Sequence, residues 1–142
     1  RTSWVCGARG GNAVKTVLRL AEDPERQLAF VTDQRGCPTM AKDLAATLVR
    51  LVGEGHTGTF HVTNAGPVSW YEFVQEILEA AGHSRDRVRP ITTAEMDPPR
   101  PAPRPTNSVL DHAALRLSGL PPMRDHREAL GELVAEIARL DG

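Results

Sequence analysis

Lysine, cysteine and the aromatics are scarce in this chain, and each shortage excludes something. Aromatic residues make up 4% of 142 positions, two residues are cysteine, and only Lys15 and Lys42 among the 17 basic residues are lysine. Cys6 and Cys37 show no C-x-x-C or zinc-type spacing, and two cysteines cannot staple a domain of this length, so a disulfide framework is excluded and a reducing cytoplasm fits. The formal net charge of −1 gives no basic surface for nucleic acid or an anionic membrane. No apolar run reaches membrane-spanning length, and no signal peptide opens the chain. The five histidines, at 56, 61, 83, 112 and 126, lack i, i+4 pairing and cysteine partners, so a metal site from them is not expected. An initiator Met is missing and the chain opens as if in mid-strand. It is expected to be the second half of a longer protein.

What is present reads as α/β. The 40% apolar content is enough for a real core. Residues 1–6 read as the end of a buried strand, followed by a glycine turn and a helix carrying Val14, Val17, Leu18 and Ala21 that Asp23-Pro24 ends. Leu28 to Val31 is a short strand, and Asp33 to Thr39 a loop with turn chemistry at Gly36 and Pro38. Leu44, Leu48 and Leu51 with Ala45 and Val52 predict an amphipathic helix that stops at Gly53 and Gly55. Thr59 to Thr63 alternates as a strand does. Ser69-Trp-Tyr-Glu72 is a capping box opening a helix with Phe73, Val74, Ile77 and Leu78. Val88 to Ile91 predicts a further strand. Residues 97–105 hold five prolines and two arginines, too many prolines for a helix or a central strand. Asp111 is expected to cap a short helix to about Leu117. Asp125-His-Arg-Glu128 reads as a second capping box, before a helix with Ala129, Leu133, Val134, Ile137 and Leu140 inside. There are no internal repeats. Strands separated by helices predict the C-terminal part of a Rossmann-like doubly wound sheet in residues 1–65, and a smaller, mainly helical substrate-binding portion in residues 66–142.

Several residues carry candidate chemistry. Ligands of open α/β sheets bind at the carboxyl ends of strands, which puts Trp4 and the loop after it where a substrate would lie. Gly7-Ala-Arg-Gly-Gly11 departs from G-x-G-x-x-G, and no ribose-binding acidic residue follows at the usual distance, so it reads as a tight connection. Asn12 and Lys15 stand at the next helix start, where free N–H groups and the dipole favour an anion such as a diphosphate; a plain N-cap role for Asn12 is compatible. Arg104, on the proline-rich segment, could be held over a cleft and grip a diphosphate bidentately. Arg100 reads more readily as solvated. Asn107 and Ser108 are expected to tie that segment down or cap the helix after it.

Seven collinear blocks resemble one family. They are Arg1-Thr-Ser-Trp-Val-x-Gly7, Gly11-Asn12-x-Val-Lys15-Thr-x-Leu-Arg-Leu20, Asp33-Gln34-x-Gly-x-Pro38-Thr39, His61-Val-Thr-Asn64, Ser69-Trp-Tyr-Glu-Phe73, Pro90-Ile-Thr-Thr93 and Arg104-Pro-x-Asn107-Ser108. Together they resemble the C-terminal half of dTDP-4-dehydrorhamnose reductases, which are extended short-chain dehydrogenases. The resemblance implies NADPH- or NADH-dependent reduction of dTDP-4-dehydro-L-rhamnose to dTDP-L-rhamnose. It places the glycine-rich dinucleotide turn and the catalytic Tyr-x-x-x-Lys in an N-terminal half outside this chain. The single tyrosine, Tyr71, is followed four residues later by Gln75, so no catalytic residue is expected here, and the chain alone is expected to be inactive. Trp4 is implied to lie against the sugar nucleotide, and Gln34 and Thr39 to help form its pocket, with Thr39 also a natural cap for the next helix. The implied partners are the dTDP-sugar, the N-terminal half and a second copy in a homodimer. Relatives place Mg²⁺ between subunits through glutamates; Lys42 stands near that segment, so Mg²⁺ is not carried over. Cys6 and Ala13 stand where the family usually has tyrosine and phenylalanine, leaving more room in the substrate loop. A regulatory protein on the same scaffold and a related epimerase or dehydratase are the other readings.

Overall fold

Sequence periodicity translates into elements with few changes in a computed structural model that describes residues 1–141. In chain order they are β1 (Val5–Cys6), α1 (Ala13–Ala21), β2 (Leu28–Val31), β3 (Arg35–Gly36), β4 (Thr39–Met40), α2 (Ala41–Gly53), β5 (Val68–Ser69), α3 (Trp70–Ala80), β6 (Val88–Ile91), α4 (Ala113–Leu117) and α5 (His126–Asp141). Short 3-10 turns occupy Arg85–Arg87 and Thr93–Glu95. β1 runs parallel to β4 with Val5 opposite Thr39, and β2 parallel to β6 with Leu28 opposite Val88. Parallel neighbours require long crossovers, here filled by helices. β3 and β5 pair antiparallel, Arg35 opposite Ser69. No helix among the described residues is long and apolar enough to cross a membrane.

Helix α3 is the centre of the packing. Its apolar positions recur at i, i+3 and i+4, and Phe73, Val74, Ile77 and Leu78 are all buried. It starts at a true capping box: Ser69 Oγ accepts from the Glu72 amide at 3.2 Å, and Glu72 Oε2 accepts from the Ser69 amide at 2.7 Å. Around it lie Val14 and Val17 of α1, Leu28 of β2, Val88 of β6, and Leu130 and Ile137 of α5, in one cluster. That core runs across residue 65 without a break. A smaller cluster joins Leu51, Val62, Leu115, Leu120 and Met123.

Several local expectations are corrected. The opening strand shrinks to Val5–Cys6 because Trp4 has φ +46°, a left-handed conformation that extended backbone cannot pass through. Residues 59–63 form no named strand; they contribute one parallel rung, in which the Arg1 amine donates to Phe60 O and the Val62 amide donates to Arg1 O at 2.8 Å. Thr39 lies inside β4 and the N-cap of α2 is Met40, without a side-chain cap bond. At α4 the N-cap is His112, while Asp111 pairs with Arg116 at 2.7 Å. On α2 only Leu51 is buried; Leu48, Val49 and Val52 face outward at 46%, 73% and 80% exposure, so part of the predicted inner stripe is on the surface. At the start of α5, Asp125 accepts from the Arg127 amide at 2.9 Å, one half of the expected box, and near its end Leu140 is 53% exposed and off the predicted inner stripe.

Two buried polar residues hold the later chain onto this frame. Asn64 is fully buried; its Oδ1 accepts from the Met40 amide at 2.9 Å, and its Nδ2 donates to Asp43 at 2.7 Å and to Arg124 O at 3.1 Å. Asp43 in turn receives two bonds from the Arg124 guanidinium, at 2.9 and 3.0 Å. Fully buried His126 bridges Glu76 of α3 at 2.6 Å and the carbonyl of Ala65 at 3.0 Å.

Burial alone would raise the Asp43 pKa, but hydrogen bonds from Arg124 and Asn64 more than offset it and hold the carboxyl below its ordinary value. A depressed folded pKa means that the group contributes stability above its unfolded pKa of about 3.9 and loses it as pH falls through the folded value. Asp43→Asn is expected to cost about 2 kcal/mol at neutral pH, the scale of hydrogen bonds to a charged partner. It should also flatten the loss of stability below about pH 4. Urea unfolding measured across that range checks both.

Candidate functional site

Trp4 is the residue around which a site is built. Its left-handed backbone turns the ring toward the first turn of α3, where it stacks on Trp70 with centroids 3.8 Å apart and planes 18° apart. Phe73 lies tilted beside both rings, 6.3 Å from Trp4 and 6.2 Å from Trp70. Gly36 of β3 presses on the Trp4 indole so closely that a Cβ there would sit 2.5 Å from a ring carbon. Glycine at this position is needed for close approach, since no side chain fits.

The indole pair forms one wall of a cleft of about 390 Å³, whose other walls include Gln34, Arg100 and Arg104. Ser3 and Ser108 complete the rim, and no carboxylate lines the cleft among the described residues. Beside it is an apolar chamber of about 270 Å³ walled by Ala13, Val17, Phe30, Val74 and Ile91. Gln34, Trp70 and Arg100 line both cavities, so the two adjoin along that shared wall.

Each wall is pinned. Buried Gln34 donates from Nε2 to Thr93 Oγ1 at 2.9 Å, and its carbonyl accepts from the Trp70 amide at 3.3 Å. Thr93 is held by Asp33, which accepts from the Thr93 amide at 3.0 Å and from its hydroxyl at 2.8 Å. The backbone bond from Thr93 keeps the Asp33 carboxyl below its usual range. The proline-rich arm bearing Arg100 and Arg104 is anchored just past its end. There the Arg35 amide donates to Thr106 O, and the Ser108 amide and hydroxyl donate to Arg35 O at 2.8 and 2.9 Å. Ser108 thus ties the arm down, while Asn107 caps the local turn by accepting from the Val109 amide at 3.0 Å. The Arg35 side chain donates to Glu72 at 3.2 Å and to Pro67 O at 3.1 Å, which joins the arm's root to the capping box of α3.

Trp4, Gln34 and Arg104 are therefore brought together, as one cleft wall each. Asn12, Lys15 and Thr39 line neither cavity. Asn12 is the N-cap of α1, accepting from the Lys15 amide at 3.2 Å, and its Nδ2 donates to Gly7 O at 2.7 Å. Lys15 Nζ donates to Ala8 O at 3.3 Å. Thr39 is fully buried, its hydroxyl directed at Cys37 O. Both side chains at the mouth of α1 bond their own loop, as expected of a tight connection at the Gly7–Gly11 turn. Cys6 is no nucleophile either: burial pushes its thiol up to about 11, which keeps it protonated.

Sequence reasoning missed Trp70, read only as the first residue of a capped helix. The signal available was the second of two tryptophans standing directly after the cap serine. Arg100, read as solvated, lies on the wall shared by the two cavities.

Helices against parallel strand pairs define a Rossmann-like α/β arrangement, and the cleft lies past the carboxyl ends of β2 and β6, where such folds bind ligands, although Trp4 reaches it from the amino end of β1 and not from the carboxyl end expected of it. Residues 1–139 match the sequence model of the RmlD substrate binding domain, and the chain belongs to that family. It is 43% identical over 136 residues to the spore coat polysaccharide biosynthesis protein SpsK of Bacillus subtilis, covering 96% of this chain and 46% of that protein. It is 40% identical over 146 residues to a dTDP-4-dehydrorhamnose reductase of Mycolicibacterium smegmatis, covering all of this chain and 44% of the relative. The crystal structure of the Bacillus anthracis dTDP-4-dehydrorhamnose reductase in complex with NADP superposes with a TM-score of 0.88 at 37% identity, over 96% of this chain and 47% of that one. The chain thus spans about half the length of the curated relatives it matches.

Gly36→Ala tests the close contact. The added methyl must push the Trp4 ring off its stack or strain β3, at an expected cost of about 1–3 kcal/mol. Near-ultraviolet circular dichroism, which has only two tryptophans to report on, should change along with the unfolding midpoint. An unchanged spectrum at unchanged stability would contradict the placement of the ring.

Proposed function

We propose that this chain is the sugar-nucleotide-binding half of an NADPH- or NADH-dependent reductase that converts dTDP-4-dehydro-L-rhamnose to dTDP-L-rhamnose. In this reading residues 1–65 continue a Rossmann-like sheet supplied mostly by another part of the protein, and residues 66–142 form the substrate portion. The observation that carries it is the joint cleft: two indoles, two arginines and no carboxylate, adjoining an apolar chamber. A nucleotide-linked 6-deoxysugar has matching parts. The diphosphate suits Arg104 and Arg100, since guanidinium groups grip phosphate oxygens bidentately. The apolar chamber has room for a planar base, with Gln34 on the wall it shares with the cleft. The sugar, with its methyl group, suits an indole surface.

Holding the sugar in one orientation is itself a large part of catalysis. The nicotinamide cofactor supplies the hydride when bound, and it belongs to the part of the protein that carries a dinucleotide turn. The proton donor belongs there too. Tyr71 has no lysine one turn on, and its hydroxyl accepts from Gln75 at 3.0 Å within α3. Such an enzyme works where NADPH is available, in the cytoplasm.

Titrating the chain with dTDP while following tryptophan fluorescence tests this reading. Binding is expected, and Arg104→Ala should weaken it about tenfold, close to 1.4 kcal/mol. The chain alone should show no ketone-dependent oxidation of NADPH; turnover by these 142 residues would refute the division of labour.

A further inference from the structure

We infer that Trp70 is a positioning residue: it sets the plane of the Trp4 indole, and the stacked pair, not Trp4 alone, is the surface on which the sugar rests. The inference rests on the nucleotide-sugar reading above and deepens it by giving the two indoles different roles.

Three observations carry it. Trp4 adopts φ +46°, a conformation that a bulky non-glycine residue holds only when its surroundings impose it. The surroundings are unequal. On the β3 side there is only the backbone of Gly36, which limits how far the ring can move but offers no side chain to orient it. On the α3 side the Trp70 ring lies 3.8 Å away and 18° from parallel, so its plane decides that of Trp4. Trp70 is itself fixed from both directions. Its amide donates to Gln34 O at 3.3 Å, and it follows directly on the Ser69–Glu72 capping box that Arg35 braces. Finally, Trp70 is only half-buried and lines both cavities, whereas Phe73 and Ile77 on the same helix are sealed in the core and line neither.

The test uses the chain itself, with dTDP and dTDP-glucose as probes. Two stacked indoles give an exciton couplet in the far-ultraviolet circular dichroism, and with only two tryptophans it has one source. The unsubstituted chain should show the couplet and bind dTDP-glucose more tightly than dTDP. Trp70→Leu should abolish the couplet and reduce the preference for the sugar-bearing ligand about fivefold, the ratio that one aromatic pair's contribution converts to. Affinity for dTDP alone is measured beside it, because Trp70 also lines the chamber assigned to the base, and the inference is read from the ratio of the two affinities. Trp70→Phe, which keeps a flat ring, should lose the couplet but recover part of the sugar preference. It carries the test if the leucine variant does not fold. A missing couplet in the unsubstituted chain overturns the inference. So does a sugar preference that is absent from the start or unchanged in both variants, and in those cases dTDP binding still upholds the nucleotide reading. Failure of the unsubstituted chain to bind dTDP overturns that reading and this inference with it.

Discussion

The close approach of Gly36 to the Trp4 ring is the constraint on which the site depends. A ring carbon occupies the space that a side chain at residue 36 would need, so the strand carrying residue 36 and the turn carrying residue 4 can meet only in this way. Once they meet, much else is determined. β3 pairs with β5 through Arg35 and Ser69, and Ser69 caps the helix that brings Trp70 onto the other ring. The same Arg35 binds Glu72 through its side chain and the 106–108 segment through its backbone. One dipeptide, Arg35-Gly36, therefore sets the distance between the indole wall and the arginine-bearing arm. The arm has no secondary structure of its own between Pro98 and Pro105; proline restricts its backbone locally, and the anchor at Arg35 places it.

How much of this was legible depended on whether the signal was local. Leu28–Val31 and Val88–Ile91 were readable as strands because short apolar runs between turn residues have few other uses, and α3 was readable because its period and its capping box agree. The opening strand was not. Nothing in Arg1-Thr-Ser-Trp-Val announces that Trp4 will take a positive φ, since that conformation is imposed by Gly36 and Trp70, both more than thirty residues away. Residues 59–63 alternate correctly yet make a single rung, because a strand exists only where a partner runs alongside it. Asp111 looked like a cap and instead pairs with Arg116, a competition that sequence spacing does not decide.

The candidate site was legible in the same partial way. Trp4, Gln34 and Arg104 lie far apart in sequence and converge. Asn12 and Lys15 had the right chemistry for an anion at a helix mouth, but a helix start also has its own orphan N–H groups and loop carbonyls to satisfy. Both side chains make such local bonds, at 2.7 to 3.3 Å from their partners. Trp70 was passed over because the capping box beside it already explained its position. A residue with one sufficient local reason hides a second one that only tertiary contact reveals.

The reactive side chains of this chain are distributed away from the cleft. The side chains that could move a proton or attack a carbon are committed to structure. His126 is sealed in the core between Glu76 and the Ala65 carbonyl, Cys6 is buried with its thiol protonated, and Tyr71 is bonded to Gln75 on its own helix. What faces the cleft is aromatic surface, guanidinium, amide and two hydroxyls, Ser3 and Ser108, each donating to a backbone carbonyl: groups that hold charge and shape but exchange no proton near neutral pH. A cleft of that composition acts on a barrier by fixing where a substrate's reactive carbon points and by the charge of its guanidinium groups. The rigidity of its walls then matters more than their chemistry. That accounts for the expenditure of so many hydrogen bonds on Gln34, Thr93 and Arg35, none of which needs to react.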